Sequence, residues 1–186
     1  MIFGDSFLSL HIELVVIAMT TKIESFAKTA RAYCSWCEAE PTTSVDDALS
    51  ALKILPALYS AAIALPDLSG NEEAPRVSDE EWRRVFARFA SLPFNYYASC
   101  FDPHQIPIEE KPVVSDAADD LADIWRDVKS GLTLFDAGHI NAATWEWRFH
   151  FYGHWGRHLT SALYALHCWQ AQNPDRLLPP ISRRRA

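Results

Sequence analysis

Residues 139–173 run without a proline and hold four of the chain's seven tryptophans. Proline removes a backbone N–H and clashes with the preceding turn, so a proline-free stretch of this length can form one long helix. The predicted helix covers residues 140–172. On an ideal wheel Trp147, Phe151, Trp155, Ala162, Ala165 and Trp169 share one face, while Trp145, Phe149, Tyr152 and Leu163 share the other. A helix apolar nearly all round belongs in the middle of a fold. Gly153 and Gly156 each cost about 1 kcal/mol in a helix relative to Ala. Their expected compensation is close approach by a neighbouring backbone.

With 186 residues, 49% of them hydrophobic, the chain is long enough for one domain with a substantial core. Charged residues make up 22%, and 24 acids outnumber 17 bases to give a net charge of -7. Arg183, Arg184 and Arg185 form the basic cluster, and nothing resembles a surface that tracks nucleic-acid phosphates. Nucleic acid is therefore not an expected partner. The four cysteines, Cys34, Cys37, Cys100 and Cys168, read as free thiols of a cytoplasmic protein. Cys34 and Cys37 spell C-x-x-C late in a predicted helix, away from the N-terminal dipole that activates a redox thiol, so packing is their expected role. A nucleophilic pairing of Cys100 with a histidine has no sequence signature.

The first 18 residues contain an apolar run interrupted by His11 and Glu13. It lacks a signal peptide's basic start and is too short for a membrane span, which needs about 20 apolar residues. It reads either as an extension upstream of a start at Met19 or as a short extra helix packed on the bundle. Ile23, Phe26, Ala30, Tyr33 and Cys37 then mark a first helix that Pro41 ends. Ser44 is the expected cap of a second, kinked at Pro56 and closed by Pro66. Residues 67–77 read as a loop.

Ser78 and Glu81 form a capping box for a third helix whose buried face is Trp82, Val85, Phe86 and Phe89. After Pro93, Tyr96, Tyr97 and Phe101 predict a short helix lying on the bundle, followed by an extended connection through Pro107 and Pro112. Ser115 is the expected cap of a fourth helix that Gly138 closes. Its apolar stripe is Ala117, Leu121, Ile124, Val128, Leu132 and Phe135. A second stripe, Asp116, Asp120, Asp123 and Asp127, falls at the edge of the core. Helix-dipole stabilisation accounts for Asp116, Asp119 and Asp120 without any site. Residues 174–186 read as a tail. The expected fold is all-α, a single-domain bundle of about five main helices in which 19–173 form the bundle proper.

The proline-free helix also carries Glu146, His150, His154 and His158 at intervals of four. Two histidines so spaced lie about 5–6 Å apart at Cβ and can ligate one metal ion. Helical bundles complete such sites with carboxylates from a facing helix. The candidate ligands are His154 and His158 with Asp120 and Asp123, and His150, Asp127 and Glu146 as further members. Neither the E-x-x-H of di-iron bundles nor the H-E-x-x-H of zinc proteases occurs. Packed histidines bonded to aspartates, or aspartates paired with Arg148 and Arg157, explain the same residues without a metal.

The strings DDLADIWRD (119–127), KSGL (129–132) and WEWRFHFYGHWGRH (145–158) resemble a bacterial family of all-helical proteins catalogued as a domain of unknown function (5063). The similarity runs from about Met19 to the end of the long helix. It implies a helical fold and no established activity, so no functional residue is carried over. Two readings follow from the residues themselves. One is a non-enzymatic binding or interaction module with a protein or small-ligand partner. The other is a bundle that binds a divalent metal, with hydrolysis as its chemistry. Sequence alone leaves enzyme or non-enzyme open, and the oligomeric state with it.

Overall fold

The computed structural model describes residues 4–100, 103–104 and 111–174, with side chains from residue 11 onward. Phe101, Pro107 and the tail beyond residue 174 lie outside the described residues. Among the described residues the fold holds six α-helical segments and one small hairpin: α1 (Gly4–Glu38), α2 (Ser44–Ile63), α3 (Asp79–Arg88), β1 (Tyr96–Ser99), β2 (Val113–Asp116), α4 (Ala117–Asp136), α5 (Ile140–His150) and α6 (Gly156–Gln172). A single π turn, Phe151–Trp155, joins α5 to α6, so the two form one continuous element.

Helix α1 passes residue 18 without a boundary, and Ile12, Leu14, Val15, Val16 and Ile17 are exposed on its first half. From Ile23 onward its predicted stripe is buried, including Phe26, Ala30, Tyr33 and Cys37. Burial pushes the thiol of Cys34 up to about 12 and raises that of Cys37 as well, which leaves both inert and places C-x-x-C in the core. Pro56 sits inside α2, which Thr43 caps by accepting from Asp46 N; the expected cap, Ser44, is one residue later. The Ser78–Glu81 capping box is present on α3.

Two expectations about whole elements fail. Tyr96 and Tyr97 belong to a strand, not a helix: β1 pairs antiparallel with β2, Tyr96 opposite Asp116 and Ser99 opposite Val113. Long-range pairing of aromatic and β-branched residues wins there over local pattern. The hairpin then moves the start of α4, whose cap is Asp116 rather than Ser115, with its carboxylate accepting from Ala118 N at 2.9 Å. The second failure concerns the long helix. Trp147, Phe151, Trp155, Leu159 and Ala162 are buried, but Trp145, Phe149 and Tyr152 stand 38%, 56% and 65% exposed. The more enclosed helix is α4, which packs against α1, α3, α5 and α6.

Register between α4 and α5 is fixed by one contact. The Trp147 indole lies over Gly131, where an added Cβ would come within 2.4 Å of its ring nitrogen, and Nε1 donates to the Val128 carbonyl at 2.9 Å. Phe26 and Phe135 close around the same ring at centroid distances of 4.7 and 5.7 Å. By contrast, Gly153 meets nothing within 4 Å, and the nearest atom to a Cβ on Gly156 is the Phe151 carbonyl. Gly156 thus serves the π turn, whose closing N–H it supplies, and not the approach of a neighbouring helix.

A buried ion pair ties α2 to α3. Asp47 accepts from Arg88 Nη2 at 2.8 Å and from Thr42 Oγ1 at 2.9 Å, with Asp47 1% and Arg88 8% exposed. Burial pushes the Asp47 carboxyl up, but its bonds from Arg88 and Thr42 outweigh this and hold it below the ordinary value. Asp47→Ala strands a buried guanidinium and is expected to cost about 3–5 kcal/mol in urea denaturation at neutral pH. A loss below about 1 kcal/mol would contradict the assignment. Because the folded value is depressed, the Asp47 contribution is present above about pH 4 and is lost as pH falls through that lowered value.

Candidate metal centre

Helices α4 and α5–α6 run antiparallel, joined through a turn in which Gly138 takes φ 87°. Their facing edges carry the two polar stripes. On an ideal α-helix each four-residue step advances about 40° beyond a full turn, so three histidines at this spacing would drift around the surface. The π turn between His150 and His158 is wider than an α turn and offsets that drift. His150, His154 and His158 therefore all meet the aspartate stripe.

The pairing is specific. His154 Nδ1 lies 2.7 Å from Asp127 Oδ2, and His158 Nδ1 lies 2.6 Å from Asp120 Oδ1. An ionised carboxylate only accepts, so each Nδ1 carries the proton and each Nε2 is left to face elsewhere. Both face Asp123. Its Oδ2 is 3.8 Å from His154 Nε2 and 3.9 Å from His158 Nε2, too far for a hydrogen bond. Ligand atoms of Asp123, His154 and His158 all lie within 4.8 Å of one another. In a tetrahedral zinc site, metal bonds of about 2.0–2.2 Å put neighbouring ligand atoms about 3.3–3.5 Å apart. The two Asp123 separations exceed that by about half an ångström and the set as a whole by up to about 1.3 Å, a closure within reach of side-chain rotation.

Other elements hold Asp123 in place. Trp82 Nε1 from α3 donates to Asp123 Oδ1 at 2.9 Å, and Arg126 Nη2 donates to the same oxygen at 2.7 Å. Oδ2 stays clear of both. Arg126, one turn along the same helix, is thus the arginine beside the aspartates, while Arg148 reaches across to Asp67 at 3.5 Å. Asp120 is held by Tyr97, whose hydroxyl donates to Oδ2. That bond raises the Tyr97 phenol further above its ordinary range, after burial. The Asp120 hydrogen bond is the main cause that raises His158, against the opposing effect of burial.

The structure thus sorts the sequence candidates. His154, His158 and Asp123 come close enough together that they could hold a metal ion. Asp120 and Asp127 sit behind the histidines and orient them, the usual arrangement around metal-bound imidazoles. His150 is drawn off to Glu146, its Nε2 3.3 Å from Oε1, with Asp127 4.0 Å from its other nitrogen. The Glu146 bond raises the His150 pKa. Sequence reasoning missed Tyr97 and Trp82, which reach the site from elements whose placement depends on tertiary packing. It also took Asp119 only as a helix-start charge. That half-buried carboxyl is raised first by burial and then by the charges of Asp123 and Asp120.

The fold and these polar stripes define a helical bundle with a His/Asp cluster at one helix seam. The chain belongs to the family described as Domain of unknown function (DUF5063), whose model matches residues 18–172. A crystal structure of protein BF1032 from Bacteroides fragilis is similar, with 26% identity and a TM-score of 0.66, over 87% of this chain and 96% of that one. No curated protein matches the sequence. Among the described residues, no helix is long and apolar enough to cross a membrane.

Because its folded pKa is raised, the charged His158–Asp120 pair adds stability below the ordinary His value of about 6.5, and that stability is lost as pH rises through the raised value. Asp120→Asn is expected to lower the His158 pKa in a proton–nitrogen NMR titration. The stability gap between parent and variant should be wider at mildly acidic pH than at alkaline pH. An unchanged His158 titration would remove Asp120 from its role.

Proposed function

We propose that this protein binds one divalent transition-metal ion through His154 Nε2, His158 Nε2 and Asp123 Oδ2. The observation that carries the reading is the convergence itself: two imidazole nitrogens face one carboxylate oxygen from 3.8 and 3.9 Å, while their other nitrogens are tied to dedicated carboxylates. Two imidazoles and one carboxylate suit zinc, or iron in the two-histidine–one-carboxylate pattern, and either leaves coordination positions free. A metal held this way supplies Lewis acidity and an activated water, the chemistry of a hydrolase. The chain's own contribution is orientation of the two imidazoles by Asp127 and Asp120. Buried thiols at Cys34 and Cys37 support a reducing, cytoplasmic setting.

A second reading, an interaction module, draws on a different observation. Trp145 and Phe149 stack at 4.8 Å on the exposed face of α5, beside Arg148 and Tyr152. Exposed aromatics and arginine are the residue types that anchor protein interfaces.

Calorimetric titration of tag-free, chelator-stripped protein with zinc is expected to show one site. His154→Ala and His158→Ala should abolish it while helical circular dichroism is retained. Asp127→Asn and Asp120→Asn should weaken it about 10–100-fold. Equal binding by the parent and the doubly substituted protein, or none by the parent for zinc, iron or manganese, would sink the metal reading.

A further inference from the structure

Nothing within its own chain requires a glycine at position 153. Its φ is not in the left-handed region, which Gly138 alone adopts among the described residues. A Cβ added to Gly153 would meet nothing within 4 Å. Backbone geometry and internal packing would both accept alanine, the better helix former. What glycine alone offers there is room outside the fold, where another backbone can come close.

The surroundings of Gly153 fit that use. With Asp67, Trp145, Arg148, Phe149 and Tyr152 it lines one shallow cavity of about 410 Å³. Phe149 and Tyr152 stand out beside this hollow, 56% and 65% exposed, and Trp145, 38% exposed, stacks on Phe149 at 4.8 Å. At roughly 150–250 Å² per aromatic side chain, the three rings leave about 300 Å² in water. Tyr59 joins them through Phe151, and Arg148 and the 86% exposed side chain of Asp67 extend the face further. The whole face comes to about 500–600 Å² per chain, so two copies would bury about 1,000–1,200 Å², the lower end of the range for a specific interface.

This one face holds both halves of a contact. Its protruding rings match its own hollow, and its Arg148 matches its own Asp67, 3.5 Å away. A two-fold contact requires such self-complementarity, because residue i of one copy meets j of the other and j meets i. Charge points the same way. The chain carries a net charge of -7, so two copies repel least where the surface is locally neutral, and here one arginine balances one aspartate.

We infer that a second copy of this chain docks on this face of α5 and the π turn. The two chains form a two-fold dimer whose backbones come closest at Gly153, with Phe149 and Tyr152 of each copy seated in the hollow of the other and Arg148 of each paired with Asp67 of the other. The dimer rests on the interaction reading above, whose partner it names, and stands apart from any metal.

Sedimentation velocity on the full chain, from about 1 to 200 μM to span the weak end of interface affinities, tests it. The weight-average mass is expected to climb from 21.1 kDa toward twice that value. Gly153→Leu should weaken association at least about 10-fold while leaving the dilute monomer as heat-stable as the parent or more so, since the new side chain meets nothing of its own chain. Arg148→Asp and Asp67→Arg should each weaken self-association, and an equimolar mixture of the two should restore it. A parent that stays monomeric at the highest concentration would overturn the dimer. So would undiminished association of Gly153→Leu, which would place the contact elsewhere, for instance on the exposed apolar run of α1. A photo-crosslinking residue at position 149 separates the dimer from the reading beneath it. Adducts holding only this chain support both, adducts with a different protein overturn the second copy and leave an interaction face, and a lack of any adduct removes both.

Discussion

One indole sets the geometry on which the rest of this molecule depends. Trp147 reaches from α5 to a helical carbonyl of α4 through the space that Gly131 leaves, and its ring nitrogen bonds Val128. Sliding either helix by one residue would break that bond and drive the ring into a side chain. Overpacking of this kind costs about 1–3 kcal/mol or more, a large share of a domain's net stability. The same register places Asp127 beside His154 and Asp120 beside His158. Core packing thus positions the polar seam, and the polar groups need not pull the helices together.

Around that lock the remaining elements act as braces. Tyr33 of α1 bonds the Leu121 carbonyl at 2.8 Å, Trp155 bonds the Trp147 carbonyl at 3.1 Å, and Trp82 and Tyr97 hold the aspartates from the outside. The π turn inserts its wider loop just where the histidine stripe would otherwise rotate away. Such turns carry unfavourable backbone geometry and recur at functional sites. Here its yield is specific: three histidines along one face, two of them backed by a carboxylate at hydrogen-bonding distance.

Much of this was legible in the sequence where the signal is local. The capping box at Ser78, the stripe from Ile23 to Cys37 and the four-residue spacing of histidines and aspartates depend on residues close in the chain, and the structure has them as read. What was not legible depends on partners far away. Tyr96 and Tyr97 became a strand because residues 113–116 pair with them, and the hairpin carries Tyr97 to Asp120. Spacing cannot tell an aspartate that faces a histidine's Nδ1, as Asp120 does, from one that faces its Nε2, as Asp123 does. Trp145, Phe149 and Tyr152 looked like core because hydrophobicity marks what can be buried and not what is.

The account turns on the gap between three side chains, and diffraction can look into it. Crystals grown with zinc and measured at the zinc absorption edge are predicted to show an anomalous peak bonded to Nε2 of His154, Nε2 of His158 and Oδ2 of Asp123. Asp127 and Asp120 should remain on the two Nδ1 atoms. A peak held by other residues, or an empty gap at saturating zinc with the three side chains placed as they are here, would contradict the metal centre and leave the seam a structural network.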